Sequence, residues 1–252
     1  KNGIKSILGM TIDVIDVDGT KKEAKIYVEN SIGWNNIMNI SNIINNRDYT
    51  KKSIELLELN NHSNGLIFVF SKNWVRAEGF DTNSFSGFSQ LYFQIDTTEY
   101  SSDAIDLHYL ESARDWIRYT DFGKNDDIKP LLLSDSYYVH SSDFIVKKTL
   151  NQIDIGATHL QSTEQYFRPI EHHYDKLDLL VSDDDFNAFD DMFNEAVKNT
   201  MNIAVDCDFE INTDFLNMPE YELTEEEQKK YKDKYELFDA IVDSNWDERV
   251  PE

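Results

Sequence analysis

The chain has 252 residues, 40% hydrophobic and 13% aromatic, so it can bury a sizeable core and wholesale disorder is excluded. Its formal net charge of −24 opposes direct binding to nucleic acid backbones or anionic membranes and favours a basic partner. The charge is uneven: Asp178 to Glu252 holds 23 acidic and 6 basic residues, a balance of −17, against −7 in the first 177.

In chain order, Met10–Val17 and Lys22–Val28 flank Asp18-Gly19. Asp-Gly supplies the positive φ of a tight turn, so these segments read as a β-hairpin with a two-residue turn. Ala24, Ile26 and Val28 alternate onto one face, whereas Ile12/Val14 and Ile15/Val17 slip in phase, which suggests a bulge or a strand buried on both sides. Trp34, Ile37, Met38, Ile40, Ile43 and Ile44 repeat at helical spacing from Gly33 to Asn46. Thr50 can cap a short helix through Leu59, and Leu66–Phe70 reads as a buried strand. Phe80 to Ile95 reads as a second hairpin that turns at Ser84–Ser89. Ser102-Asp103 caps a helix to Tyr119.

Leu131–Leu133, Phe144–Val146, Leu177–Val181 and Met201–Ile211 are further strand candidates. Ser182 caps a helix over Asp184–Asn199 with Phe186, Phe189, Phe193 and Val197 inward. Thr224 caps the last helix, Glu225–Asp243, whose apolar seam is Tyr231, Tyr235, Phe238 and Val242, with Tyr231, Tyr235 and Phe238 expected to be buried. Strands and helices do not alternate regularly, so the fold class is α+β: a mixed or antiparallel sheet with several packed helices. The domain reading is a mixed core over 1–177 and an acidic C-terminal segment over 178–252, packed on the same domain.

Cys207, the one cysteine, lies between Asp206 and Asp208, which disfavour its thiolate; it reads as a packing residue in a reducing compartment, and a cytoplasmic location is expected. Lys1 in place of Met points to a processed, trimmed or excised start. His159, His172, His173, Glu164 and Glu171 form the densest histidine region, but adjacent histidines point apart and make poor joint ligands. Asp183–Asp191 lacks the Gly and Glu that an EF-hand loop requires.

Two stretches carry resemblances. Asp16-Val-Asp18-Gly-Thr20 resembles the first motif of the haloacid-dehalogenase phosphohydrolases. The resemblance implies Asp16 as nucleophile and Asp18 as general acid/base beside Mg²⁺, with Ser134, Lys147 or Lys148, and Asp183-Asp184 as later motifs. Tyr166–Ile170 followed by Leu179–Phe186 looks like segments of the extracellular domains of FtsX-like transporter permeases. That would place the chain on the outer face of a Gram-positive-type membrane protein. The leading expectation is instead a non-enzymatic interaction protein of inhibitor, immunity or mimicry type, without cofactor. It would hold a basic protein or cationic peptide through Asp190, Asp191, Glu225, Glu226 and Glu227, with no direct nucleic acid contact and no membrane insertion.

Overall fold

The computed structural model describes residues 5–48, 52–71, 74, 82–95, 128–155, 165–178, 186–211 and 221–249. The expected helix over Ser102–Tyr119, the Thr50 cap, His159, Glu164 and Asp183–Asp185 lie outside the described residues. The chain clusters into two compact units, Lys1–Glu210 and Ile211–Glu252.

The first unit is α+β, built on a mixed sheet of six strands among the described residues. Its strands are β1 (Gly9–Ile15), β2 (Lys21–Val28), β3 (Ile54–Glu55), β4 (Leu66–Phe70), β5 (Gln90–Ile95) and β6 (Ile128–Leu132), in the order β3-β1-β2-β4-β5-β6. β1 and β2 form the expected antiparallel hairpin, with Ile12 opposite Ala24 and Val14 opposite Lys22. The apparent phase slip is the end of the strand: β1 stops at Ile15, and Val17 is exposed in the turn. β2 runs antiparallel to β4, while β4, β5 and β6 are mutually parallel. The second hairpin expected over Phe80–Ile95 does not form. A 3₁₀ turn occupies Thr82–Phe85, and β5 pairs in parallel on both sides.

All five residues of β4 are buried because this central strand is covered on both faces. On one face Phe68 and Phe70 meet Trp74 and Phe85 with ring centroids 4.7 to 5.8 Å apart, mostly edge-on, the geometry aromatic quadrupoles favour. Helix α1 (Ser31–Asn45) lays Ile37 and Ile40 into this core. Its N-cap, Asn30, accepts hydrogen bonds from the Ile32 and Gly33 amides and so satisfies two of the first-turn donors. Gly33 approaches the turn before β4 so closely that a Cβ would lie 1.9 Å from the Gly65 carbonyl oxygen. On the other face Ile67, Val69, Tyr92 and Leu131 pack with Ile203 and Cys207.

Where Thr50–Leu59 was expected to be one helix, two-residue β3 adds in parallel to β1 and the short helix α2 (Leu56–Asn60) follows. Phe144–Val146 is not a strand but the start of helix α3 (Phe144–Ile155). The reason is local: Ser141–Asp143 forms a 3₁₀ turn in which His140 and Asp143 exchange capping hydrogen bonds. Leu177 likewise lies in a helix, α4 (Ile170–Asp178).

Helix α5 (Phe186–Asp206) begins near its expected position but runs through Met201–Asp206, which was expected to be a strand. Ala196, Asn199 and Ile203 are buried along its second half, and Cys207, just past its end, continues a spacing of three and four that only a helical course satisfies. Among the described residues β6 is an edge strand, and its Pro130 has no N–H to offer a further strand. α5 closes that edge: Asn199 Nδ2 donates to the Pro130 carbonyl at 2.8 Å and Thr200 Oγ1 to the Leu132 carbonyl at 2.6 Å.

In the second unit Thr224 and Glu227 form a capping box, yet it closes only a turn. The helix itself, α6 (Lys234–Arg249), starts nine residues later than expected. Asp233 caps it by accepting from the Tyr235 and Glu236 amides, each at 3.0 Å. No helix among the described residues is long and apolar enough to cross a membrane.

Candidate functional site

The Asp16–Thr20 turn is built from hydrogen bonds within itself. The Gly19 amide donates to the Asp16 carbonyl at 2.9 Å, Gly19 takes a φ of +78°, and the Asp16 amide donates to the Thr20 carbonyl at 2.9 Å. This is a three-residue loop closed by a left-handed glycine, in place of the expected two-residue turn. Asp18 accepts from the Thr20 amide at 2.8 Å and the Thr20 hydroxyl at 2.6 Å. These bonds, with the nearby Lys22 ammonium, hold its carboxyl below the usual range.

Lys22 is 5% exposed, and its ammonium is paired closely with Asp16 Oδ2 and stands 3.4 Å from Asp18 Oδ2. It also lies 5.1 Å from the centroid of the Trp74 ring. The fold thus brings Asp16 and Asp18 together, but onto a lysine of their own hairpin. Ser134, Lys147 and Lys148 do not join them. Ser134 follows β6, and its hydroxyl lies 3.2 Å from His173 Nε2; Lys147 and Lys148 are on α3, with Lys147 over the Tyr137 ring. His173 is buried and His172 exposed, as expected of neighbours that point apart. Among the described residues no group of three or more His, Cys, Asp and Glu can hold a metal ion.

A second buried cation escaped sequence reasoning. Lys25 points to the opposite face of β2, where its ammonium donates to Gln94 Oε1 at 2.8 Å and stands 3.3 Å from Asp135 and 3.5 Å from Glu23. The strict alternation of β2 put it on the face away from Ala24 and Ile26; its burial depends on Gln94 and Asp135, far away in sequence. Lys22 and Lys25 therefore each pair with two carboxylates within the first unit.

The acidic C-terminal residues divide differently. Asp191, Glu225 and Glu226 are exposed. Asp190 is half-buried and accepts from the Tyr174 hydroxyl and from Asn194 Nδ2. Glu227 is spent on its turn. It accepts from the Thr224 amide and hydroxyl and from the Tyr221 hydroxyl, contacts that depress its carboxyl pKa and raise that of the Tyr221 phenol.

The inward stripes also divide. Phe189 and Phe193 are buried under α4 and the sheet, as expected. On α6 the expected burial fails. Tyr235 is 69% exposed and Phe238 64%, while Leu237, on a different side of the helix, is buried; Trp246, which carried no expectation, is 60% exposed. Tyr221, Lys234, Tyr235, Leu237, Phe238 and Ile241 line a hollow of about 550 Å³, almost entirely apolar in its walls. Tyr235, Phe238 and Trp246 thus form an aromatic row open to solvent. No known protein family matches the chain, and no curated protein is similar to it in sequence.

Proposed function

We propose that this is a non-enzymatic acidic interaction protein whose C-terminal region holds a basic protein or cationic peptide, as an inhibitor, immunity or mimicry protein does. The observation that carries the reading is the contrast in how carboxylates are used. Beside the sheet Asp16, Asp18 and Asp135 are paired with the buried Lys22 and Lys25, whereas Asp191, Glu225 and Glu226 stand in water within a stretch of balance −17. An excess of like charge raises the free energy of the folded chain, and an arriving cation lowers it again. The same field repels phosphate backbones, so the partner is a protein or peptide rather than nucleic acid.

The test is the on-rate of a lysine- and arginine-rich peptide to the full chain across a salt series. Asp191→Asn, Glu225→Gln and Glu226→Gln are combined in one variant; Asp190 and Glu227 are left intact because they hold local structure. Association should be fast at low salt and slow as the Debye length shrinks to about 8 Å near physiological ionic strength. The triple variant should lose most of that dependence. An on-rate indifferent to both would reduce the acidity to a solubility feature.

A further inference from the structure

We infer that the partner presents an amphipathic helix, apolar along one face and lined with Lys or Arg, which lies along α6; this inference rests on the reading of the C-terminal region as a surface for a basic partner. Tyr235, Phe238 and Val242 recur at spacings of three and four, the a/d seam that a facing helix fills with its own side chains, and Trp246 extends it by a turn. All four side chains are exposed. The hollow between Tyr221 and the first half of α6 is open to one inserted aliphatic side chain or more.

The electrostatics select the sign of the partner. By helical period Asp239 and Asp243 run along one side of the seam, and both are exposed. A facing helix with basic residues on that side would meet them as it buries its apolar row. A second copy of α6 would set carboxylates against carboxylates in chains of charge −24, so a like partner is disfavoured. Neither feature was accessible to a reading that placed Tyr235 and Phe238 inside.

Two synthetic probes, each three heptads long, separate this inference from the one beneath it. One carries Leu along a seam with flanking Lys; the other has the same composition scrambled so that no apolar face forms. Each is titrated by fluorescence anisotropy into the full chain, the Glu225→Gln/Glu226→Gln variant and the Tyr235→Ala/Phe238→Ala variant. Alanine at these exposed helix sites preserves helix propensity, and an unchanged far-ultraviolet dichroism spectrum checks it.

The expected result is that the seamed probe binds at least about tenfold more tightly than the scrambled one. That difference should vanish in Tyr235→Ala/Phe238→Ala, while the carboxylate variant should weaken both probes together. Equal binding of the two probes, lost with salt, would overturn the helix-docking inference and leave the acidic-surface reading standing. No binding of either probe at low salt would overturn both. Concentration-dependent self-association through the aromatic row, abolished by Tyr235→Ala/Phe238→Ala, would assign the seam to a second copy and overturn the inference.

Discussion

The ammonium of Lys22 lies 5.1 Å from the centroid of Trp74, and the same indole donates from Nε1 to the Glu23 carbonyl at 2.7 Å. One aromatic side chain therefore shields a buried cation and also satisfies the strand residue next to it. Ser71 Oγ donates to the same carbonyl, so the ladder of β2 is continued by side chains where β4 ends. Lys22 pairs in turn with Asp16, whose side chain is only 9% exposed.

Removing one member of this pair leaves the other buried without its counter-charge. Lys22→Met should destabilise the fold by about 3–5 kcal/mol, read as a lower urea midpoint. Lys22→Met combined with Asp16→Asn should recover part of that loss. Asp16→Asn alone should leave binding of a cationic peptide unchanged; Mg²⁺-dependent hydrolysis of a phosphate ester that it abolishes would instead support the phosphohydrolase resemblance.

Gly33→Ala should destabilise, against the usual gain in helix propensity. The new methyl group would meet the Gly65 carbonyl, and Gly65 itself has a φ of +72° with Asn30 and the Gly33 amide close by. Neither side can retreat without moving α1 or the turn into β4. A loss of about 1–3 kcal/mol is expected in thermal or urea unfolding. Ser31→Ala, in the exposed first turn of the same helix, is the control and should be near neutral.

Asn199→Ala should cost about 1–3 kcal/mol, because the Pro130 carbonyl loses its buried donor. Thr200→Val should act the same way on the Leu132 carbonyl. Amide hydrogen exchange should accelerate in β5 and β6 before it does in the β1–β2 hairpin, since only the former pair lies under the uncapped edge.

Alkaline pH should weaken the fold from the inside. Burial pushes the Cys207 thiol up to about 11 from 9.0, and burial with nearby Asp206 pushes the Tyr92 phenol up to about 12 from 10.0. Groups whose folded values are raised favour the folded state fully below their unfolded values and lose that contribution as pH climbs through the folded ones. The urea midpoint should therefore hold up to about pH 9 and fall between 9 and 12, less steeply in Cys207→Ala. Thiol alkylation at pH 8 should be slow in the folded chain and rapid in urea.

Much of the sheet was legible in the sequence because its signals are local. The β1–β2 hairpin is announced by Asp18-Gly19, β4 by an unbroken apolar run, and α1 and α5 by apolar residues at helical spacing. Most of what failed depended on partners far away; the start of α3 turned on a local cap instead. β5 looks like the return of a hairpin until its parallel neighbours are known. Met201, Ile203 and Val205 alternate like a strand, yet Met201 and Val205 are exposed and only Ile203 is buried. The Phe144–Val146 run is β-branched and short, and only the cap at His140 and Asp143 turns it into a helix. Of the candidate surface, the identities of Asp191, Glu225 and Glu226 as exposed carboxylates were readable from charge alone. The exposed aromatic row was not, because a seam at helical spacing looks the same whether it is buried or facing water.

The sheet's mixed pairing also sets an order of assembly. The β1–β2 hairpin closes a loop of three residues, an event of about 1–10 μs for hairpins in general. Joining β5 to β6 brings Leu91 beside Ile128, and the bond from Asn199 to Pro130 spans 69 residues. These closures lose chain entropy before any contact compensates for it, so they belong to the late, slow part of the folding reaction. A mutation in the hairpin should slow refolding, whereas one at Asn199 should mainly speed unfolding, so the two ends of one sheet would govern opposite arms of the chevron.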